Sequence, residues 1–224
     1  MQEELVGRAA EQRLLESYLQ SERSEFIAVY GRRRVGKTFL IRKVISDRAC
    51  FSMSGMENVS TEEQLINFSL ALSRYSSTLT KCASWLDAFE KLINYLTSLP
   101  EGIKIVFIDE MPWMDTTDSR FISALEHFWN DWASARNDVK LIVCGSATSW
   151  MMDNLINNHG GLHNRVTHQL LLEPFTLGEC REYFTRYGFG YSNREIVDCY
   201  MVLGGIPYYF SLMDKTLSVA QNID

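Results

Sequence analysis

Gly31-Arg32-Arg33-Arg34-Val35-Gly36-Lys37-Thr38 fills every fixed position of the pattern G-x-x-x-x-G-K-[ST]. The glycines let the backbone turn tightly, so that successive N–H groups face one anion-sized hollow. Lys37 brings a compact positive charge to the place where β- and γ-phosphates would lie, and the Thr38 hydroxyl suits a Mg²⁺ ligand. The flanks agree with this reading. Residues 26–30 (Phe-Ile-Ala-Val-Tyr) read as a short buried strand, and 38–45 have helical spacing. The hollow therefore lies at a helix N-terminus.

Working outward, strand-like runs recur at 48–53, 103–108, 139–144 and 168–172, separated by helical patterns at 61–75, 83–98 and 118–134. A further helix at 8–20 precedes the first strand. This alternation predicts an α/β fold with a mostly parallel five-stranded sheet covered on both faces. After Pro174 the pattern becomes helical, at 177–187 and 194–203, before Gly204-Gly205-Ile206-Pro207 and an apolar stretch at 208–213. The expected organisation is an α/β core over 1–174 and a helical lid over 175–224. Two recognisable helices fall short of the three or four that close a small core, so the lid reads as incomplete.

The run 103–108 ends in Asp109-Glu110, apolar residues followed by two acids in the Walker B form. Asp109 suits a role in holding Mg²⁺ through its water shell, and Glu110 suits orienting a water for attack on a γ-phosphate. The alternative is that both acids only open a surface turn, which Pro112 also marks. The run 139–144 ends in Gly145-Ser146-Ala147-Thr148. In a parallel sheet, strand carboxyl ends meet at the ligand crevice, so Ser146 is a candidate to reach between Glu110 and the γ-phosphate. Capping of the following helix is the competing role. Arg165, in a glycine-containing turn, is either a solvated loop residue or a guanidinium that neutralises γ-phosphate charge, in its own chain or across an interface.

Bulk properties narrow the classes. The 224 residues carry a net charge of −6, with 46% hydrophobic and 22% charged residues, which argues against a broadly basic nucleic-acid surface. No run approaches the ~20 apolar residues of a membrane span. The acidic start, Met1-Gln2-Glu3-Glu4, is unlike a signal or transit peptide. Cys50, Cys82, Cys144, Cys180 and Cys199 are widely spaced and read as reduced thiols, so a cytoplasmic location is expected.

The order of these elements resembles the archaeal-type ATPase family, a relative of the STAND and AAA+ nucleotide switches within the P-loop NTPases. Leu5-Val6-Gly7-Arg8 with Glu11 and Leu14 is similar to that family's opening box. The arginine-bearing loop at 31–38, Ile108-Asp109-Glu110, Cys144-Gly145-Ser146, Arg165 with Leu172-Glu173-Pro174-Phe175, and Gly204-Gly205-Ile206-Pro207 follow in the family's order. The resemblance implies adenine packing against Val6-Gly7-Arg8 and Pro207, with the phosphates held by residues 31–38 and Phe39. It also implies Arg165 at the arginine-finger position, acting in trans in a homo-oligomer, and Ser146 at the sensor position, where many AAA+ relatives carry Asn. Family members continue into further C-terminal domains, through which DNA or protein partners would be reached.

The expected function is Mg²⁺-dependent ATP hydrolysis that drives a conformational switch, with ATP and ADP as ligands. A nucleotide-gated binding module with very slow hydrolysis is the alternative. A small-molecule phosphoryl transferase is disfavoured, because the Asp109-Glu110 pair would polarise water.

Overall fold

A computed structural model describes residues 5–76, 81–157 and 160–223. Five strands form one sheet: β1 (Glu25–Tyr30), β2 (Ala49–Ser54), β3 (Lys104–Asp109), β4 (Val139–Gly145) and β5 (His168–Leu171). Their order is β2-β3-β4-β1-β5, and every ladder is parallel. The predicted α/β fold is thus present.

β3 and β4 are buried along their whole length, and β1 from Glu25 to Val29, which explains their continuous apolar runs. Alternate side chains leave opposite faces of a strand. Phe26 and Ala28 of β1, Val106 and Ile108 of β3, and Leu141 and Val143 of β4 enter one core. Ile27, Val29, Ile105, Phe107, Ile142 and Cys144 enter the other. The first core is closed by α3 (Thr61–Ser76), α4 (Trp85–Ser98) and α5 (Phe121–His127), whose Phe68, Trp85, Phe89 and Phe121 rings pack edge-on or tilted. The second is closed by α1 (Ala9–Leu19) and α2 (Lys37–Ile45) through Leu15, Leu19, Leu40 and Ile41.

The run 118–134, expected as one helix, is broken. Asp118 and Arg120 have positive φ (58° and 55°), so α5 begins only at Phe121. A π-helical turn over Phe128–Trp132 and a 3₁₀ turn over Ala133–Ala135 follow. The wider π turn carries both Phe128 and Trp129 into the core. A short helix α6 (Thr148–Met151) runs into a second π turn, Met152–Ile156.

Beyond Pro174 lie α7 (Leu177–Arg186), α8 (Asn193–Leu203), α9 (Pro207–Phe210) and α10 (Val219–Ile223). Capping boxes start both longer helices: Thr176 with Glu179, and Ser192 with Glu195. These helices surround a third cluster of Phe175, Cys180, Tyr183, Phe184, Ile196, Cys199, Phe210 and Val219, which also takes Val6 from the other end of the chain. Among the described residues, no helix is long and apolar enough to cross a membrane.

Candidate nucleotide site

The register aligns the carboxyl ends of β1, β3 and β4: Tyr30 lies opposite Gly145, and Ile108 opposite Val143. The turns that follow these strands therefore meet. β1 passes into the loop 31–36 and then into α2. Gly31 (φ 136°) has its α-carbon against the chain just after β5, where a Cβ would stand 2.3 Å from the Leu172 carbonyl oxygen. Gly36 (φ 94°) turns the chain into the helix. Arg34 also has positive φ, 69°, at a place where glycine is the unstrained choice.

Lys37 is buried, and its ammonium donates to the carbonyls of Gly31 and Arg32 at 2.8 and 2.9 Å. Burial pulls its pKa down, while the charges of Glu110 and Asp109 push it up. The Thr38 hydroxyl donates to Oδ1 of Asp109 at 3.2 Å, and the same oxygen accepts the Glu110 N–H at 3.0 Å. Oε2 of Glu110 accepts the Ser146 hydroxyl at 3.0 Å and the Ser146 N–H at 3.3 Å. Hydrogen bonds thus join Thr38, at the start of α2, to Asp109 and Glu110 at the end of β3 and to Ser146 at the end of β4, with Lys37 next to Thr38 in the chain.

Beside them opens a cavity of about 340 Å³. One wall is the loop and the start of α2, from Arg34 to Phe39; another is Leu5, Val6 and Arg8; the helical segment supplies Phe175, Tyr183, Tyr187, Pro207, Tyr208 and Ser211. An apolar, aromatic hollow joined to a polar phosphate-sized loop matches the two halves of a nucleotide, base and phosphates.

Arg8 holds the walls together. With φ 59° and only 5% of its surface exposed, it donates to the carbonyls of Val35 and Glu173, and its guanidinium lies 4.8 Å above the Phe175 ring. Its backbone N–H donates to Glu179 of α7 at 3.0 Å. Burial raises the Glu179 pKa, but the N–H donors of Thr176 and Arg8 outweigh it and hold the carboxyl below its ordinary value. Gly7 is required here because a side chain would strike Glu179.

Of the residues singled out from the sequence, Val6, Arg8, Arg34, Val35, Gly36, Lys37, Thr38, Phe39, Glu110 and Pro207 line the cavity. Asp109 and Ser146 reach it through Thr38 and Glu110. Arg165 is not brought to it. The Thr167 N–H donates to the Phe26 carbonyl, so Arg165 lies at the amino edge of the sheet. The loop begins five residues further along β1, roughly 15 Å away along the strand direction.

Sequence reasoning missed the aromatic wall of Phe175, Tyr183, Tyr187 and Tyr208. Tyr183 and Tyr187 stand i, i+4 on one face of a capped helix, a spacing that also describes ordinary core packing.

The donor set around Thr38 and Asp109 suits Mg²⁺. A hydroxyl and a carboxylate lie in contact, both hard oxygens. Among the described residues no cluster of three or more His, Cys, Asp or Glu forms a closed cage. An ion that keeps waters and takes phosphate oxygens fits such an open pair.

Comparison with known proteins places these features. The chain is 28% identical over 204 residues to an uncharacterized protein of Methanocaldococcus jannaschii, covering 91% of this chain and 43% of that one. It therefore spans less than half the length of that relative. Among solved structures it is similar to the Walker-type ATPase of Pyrococcus abyssi (TM-score 0.68, 19% identity, 99% of this chain and 72% of that one). The ORC2 protein of Aeropyrum pernix, solved in ADPNP–ADP complexes, gives a TM-score of 0.61 at 15% identity, over 86% and 55% of the two chains. A STAND protein with a tetratricopeptide-repeat sensor from Pyrococcus horikoshii gives 0.57 at 16%, over 93% and 29%. At these identities the structural likenesses establish the fold, that of P-loop ATPases. Residues 5–213 match the family described as the ATPase domain predominantly from Archaea, and the chain belongs to that family.

Proposed function

We propose that this chain binds ATP with Mg²⁺ and hydrolyses it, and that the change from triphosphate to diphosphate alters how the helical segment is held. The observation that carries the reading is the hydrogen-bonded line Thr38–Asp109–Glu110–Ser146, with the buried Lys37 beside it, at one end of the cavity. Adenine would lie between Val6, Pro207 and the aromatic wall, with the phosphates on the backbone N–H groups of residues 31–38. Thr38 and Asp109 would hold Mg²⁺, which supplies charge neutralisation at the β- and γ-phosphates when bound.

Glu110 orients a water for in-line attack. The water oxygen bonds to the γ-phosphorus, the bond from that phosphorus to the β–γ bridging oxygen breaks, and the water proton passes to the Glu110 carboxylate. The products are ADP and inorganic phosphate. Lys37 stabilises the negative charge that remains on the leaving oxygen. Coupling to the helical segment is supported by Arg8 and by Arg34. The Arg34 guanidinium lies 4.5 Å from the Tyr208 ring and donates to the Tyr209 hydroxyl. The five thiols support a cytoplasmic location. DNA or protein partners would be reached through other parts of a longer protein, and Arg165 would act across a homo-oligomer interface.

The test is ADP release from Mg-ATP alongside nucleotide-induced thermal shifts. Glu110→Gln should lower turnover about 100-fold or more, the scale of general-base catalysis, while keeping the shift. Lys37→Ala should abolish the shift. A wild-type rate near zero that Glu110→Gln leaves unchanged supports a nucleotide-gated binding module; no shift in the wild type rejects both readings.

A further inference from the structure

The three consecutive arginines of the loop have three different destinations. Arg32 gives its carbonyl to Lys37, and its side chain lines a shallow cleft beside Leu203, Gly204 and Tyr209. Arg34 reaches the tyrosines of α9. Arg33 points the other way, towards the strand ends. Its Nε donates to the Ser146 hydroxyl at 3.4 Å, and one terminal nitrogen pairs with Glu57 at 3.2 Å. Its guanidinium lies 5.7 Å from the Trp113 ring.

Arg33 is thus one hydrogen bond from the residue that holds Glu110. A cation beside the Glu110–Ser146 pair, carried on the same loop that leads into Lys37, stands where a γ-phosphate would be received. ATP and ADP differ in that group alone. Arg165, the other candidate cation, lies at the opposite edge of the sheet.

The Glu57 pairing supplies the exchange. Both partners are largely in water, with 60% and 49% of their side chains exposed. An exposed ion pair of this kind is weak. A phosphate group with more charge and three acceptor oxygens competes for the guanidinium, which takes such groups in a two-pronged fashion.

We infer that Arg33 recognises the γ-phosphate of a nucleoside triphosphate bound in its own chain, leaving Glu57 for that phosphate, and so sets the preference for triphosphate over diphosphate. The inference rests on the loop's being a nucleotide site. Trp113 and Ser146 keep the guanidinium over the strand ends while the partner changes.

The experiment compares binding of Mg-ADPNP and Mg-ADP by calorimetry for the wild type, Arg33→Ala, Arg33→Lys and Glu57→Gln. Loss of one charge-assisted phosphate contact should weaken ADPNP about tenfold in Arg33→Ala and leave ADP within about threefold. Arg33→Lys should recover part of the preference. Glu57→Gln, which removes the competitor, should raise it about two- to fivefold. Equal losses for both nucleotides in Arg33→Ala, or none, would overturn the inference. If Arg33→Ala does not fold, an unchanged ADPNP-to-ADP ratio in both other variants overturns it. A wild type that binds neither nucleotide rejects the proposed function, whereas binding of both with a preference indifferent to Arg33 and Glu57 rejects this inference alone.

Discussion

Ser146 gives both its hydroxyl and its backbone N–H to a single oxygen of Glu110, at 3.0 and 3.3 Å. The strand order makes this contact. β4 lies between β1 and β3, so the tip of β4 stands between the phosphate loop and the acid pair. Ser146→Ala removes the hydroxyl and keeps the N–H. A hydrogen bond to a charged group contributes about 1.5 kcal/mol or more, so turnover should fall roughly tenfold with KM for ATP nearly unchanged. Steady-state kinetics decide it: a loss that appears wholly in KM would assign Ser146 to binding.

Gly204 and Gly205 share a left-handed backbone, with φ 65° and 66°, but not their surroundings. A Cβ on Gly204 meets nothing within 4 Å; one on Gly205 would lie 2.3 Å from the Phe175 carbonyl oxygen. Phe175 is also tied to Gly205 by its N–H, at 2.7 Å. Gly204→Ala should therefore cost only the conformational penalty of about 1 kcal/mol, a fall of roughly 2–4 °C in Tm. Gly205→Ala must move the connection between sheet and helices and should lower Tm by about 6 °C or more. Equal shifts in a thermal melt would refute the steric difference.

Asp138 joins the amino ends of β3 and β4. Arg136 and Lys104 bond to it at 2.7–2.9 Å and hold its pKa at about 2, against 3.8 for a free aspartate. A depressed carboxylate contributes stability that is full above its unfolded pKa and is lost as pH falls towards the folded one. The contribution is about 2 kcal/mol. Asp138→Asn should be less stable than wild type by about that amount at pH 7, with the deficit halved near pH 3. Urea denaturation at several pH values measures it; a deficit independent of pH would show that the carboxylate charge is not its source.

Arg165 stands at the far edge of the sheet from the loop, so any part it plays in catalysis belongs to a neighbouring copy. Arg165→Ala and Glu110→Gln chains, each inactive alone, should regain about a quarter of wild-type turnover when mixed at equal concentration, as expected for random pairing in dimers. Turnover of the mixture equal to the mean of the separate variants would exclude shared sites.

The fold was legible wherever one side chain pattern had one use. Phe26–Val29, Ile105–Ile108 and Leu141–Cys144 are apolar on both faces, and only a sandwiched strand buries both. The loop was legible because its backbone demands glycine at fixed places. Other elements left no such trace. The turn Met111–Met114 and helix α6 are too short for a period, and the π turn at Phe128–Trp132 departs from the spacing by which helices are recognised. Nor could the sequence tell Arg33 from Arg34. Three identical side chains in a row are sorted by residues far away along the chain: Glu57 and Trp113 for one, Tyr208 and Tyr209 for the other. The same holds for the aromatic wall, since Tyr183 serves the third cluster and the cavity at once.

That double service has a thermodynamic consequence. Val6, Phe175 and Tyr183 belong both to the core of the helical segment and to the wall of the cavity. A ligand seated there is a cross-link between sheet and helices, so its affinity and the docking of the helices are reciprocal quantities. Whatever clamps the helices down, whether a mutation or a partner protein, must tighten ligand by the same factor by which ligand tightens the clamp. Anything that pulls the helices away becomes, by that identity, a nucleotide-release factor.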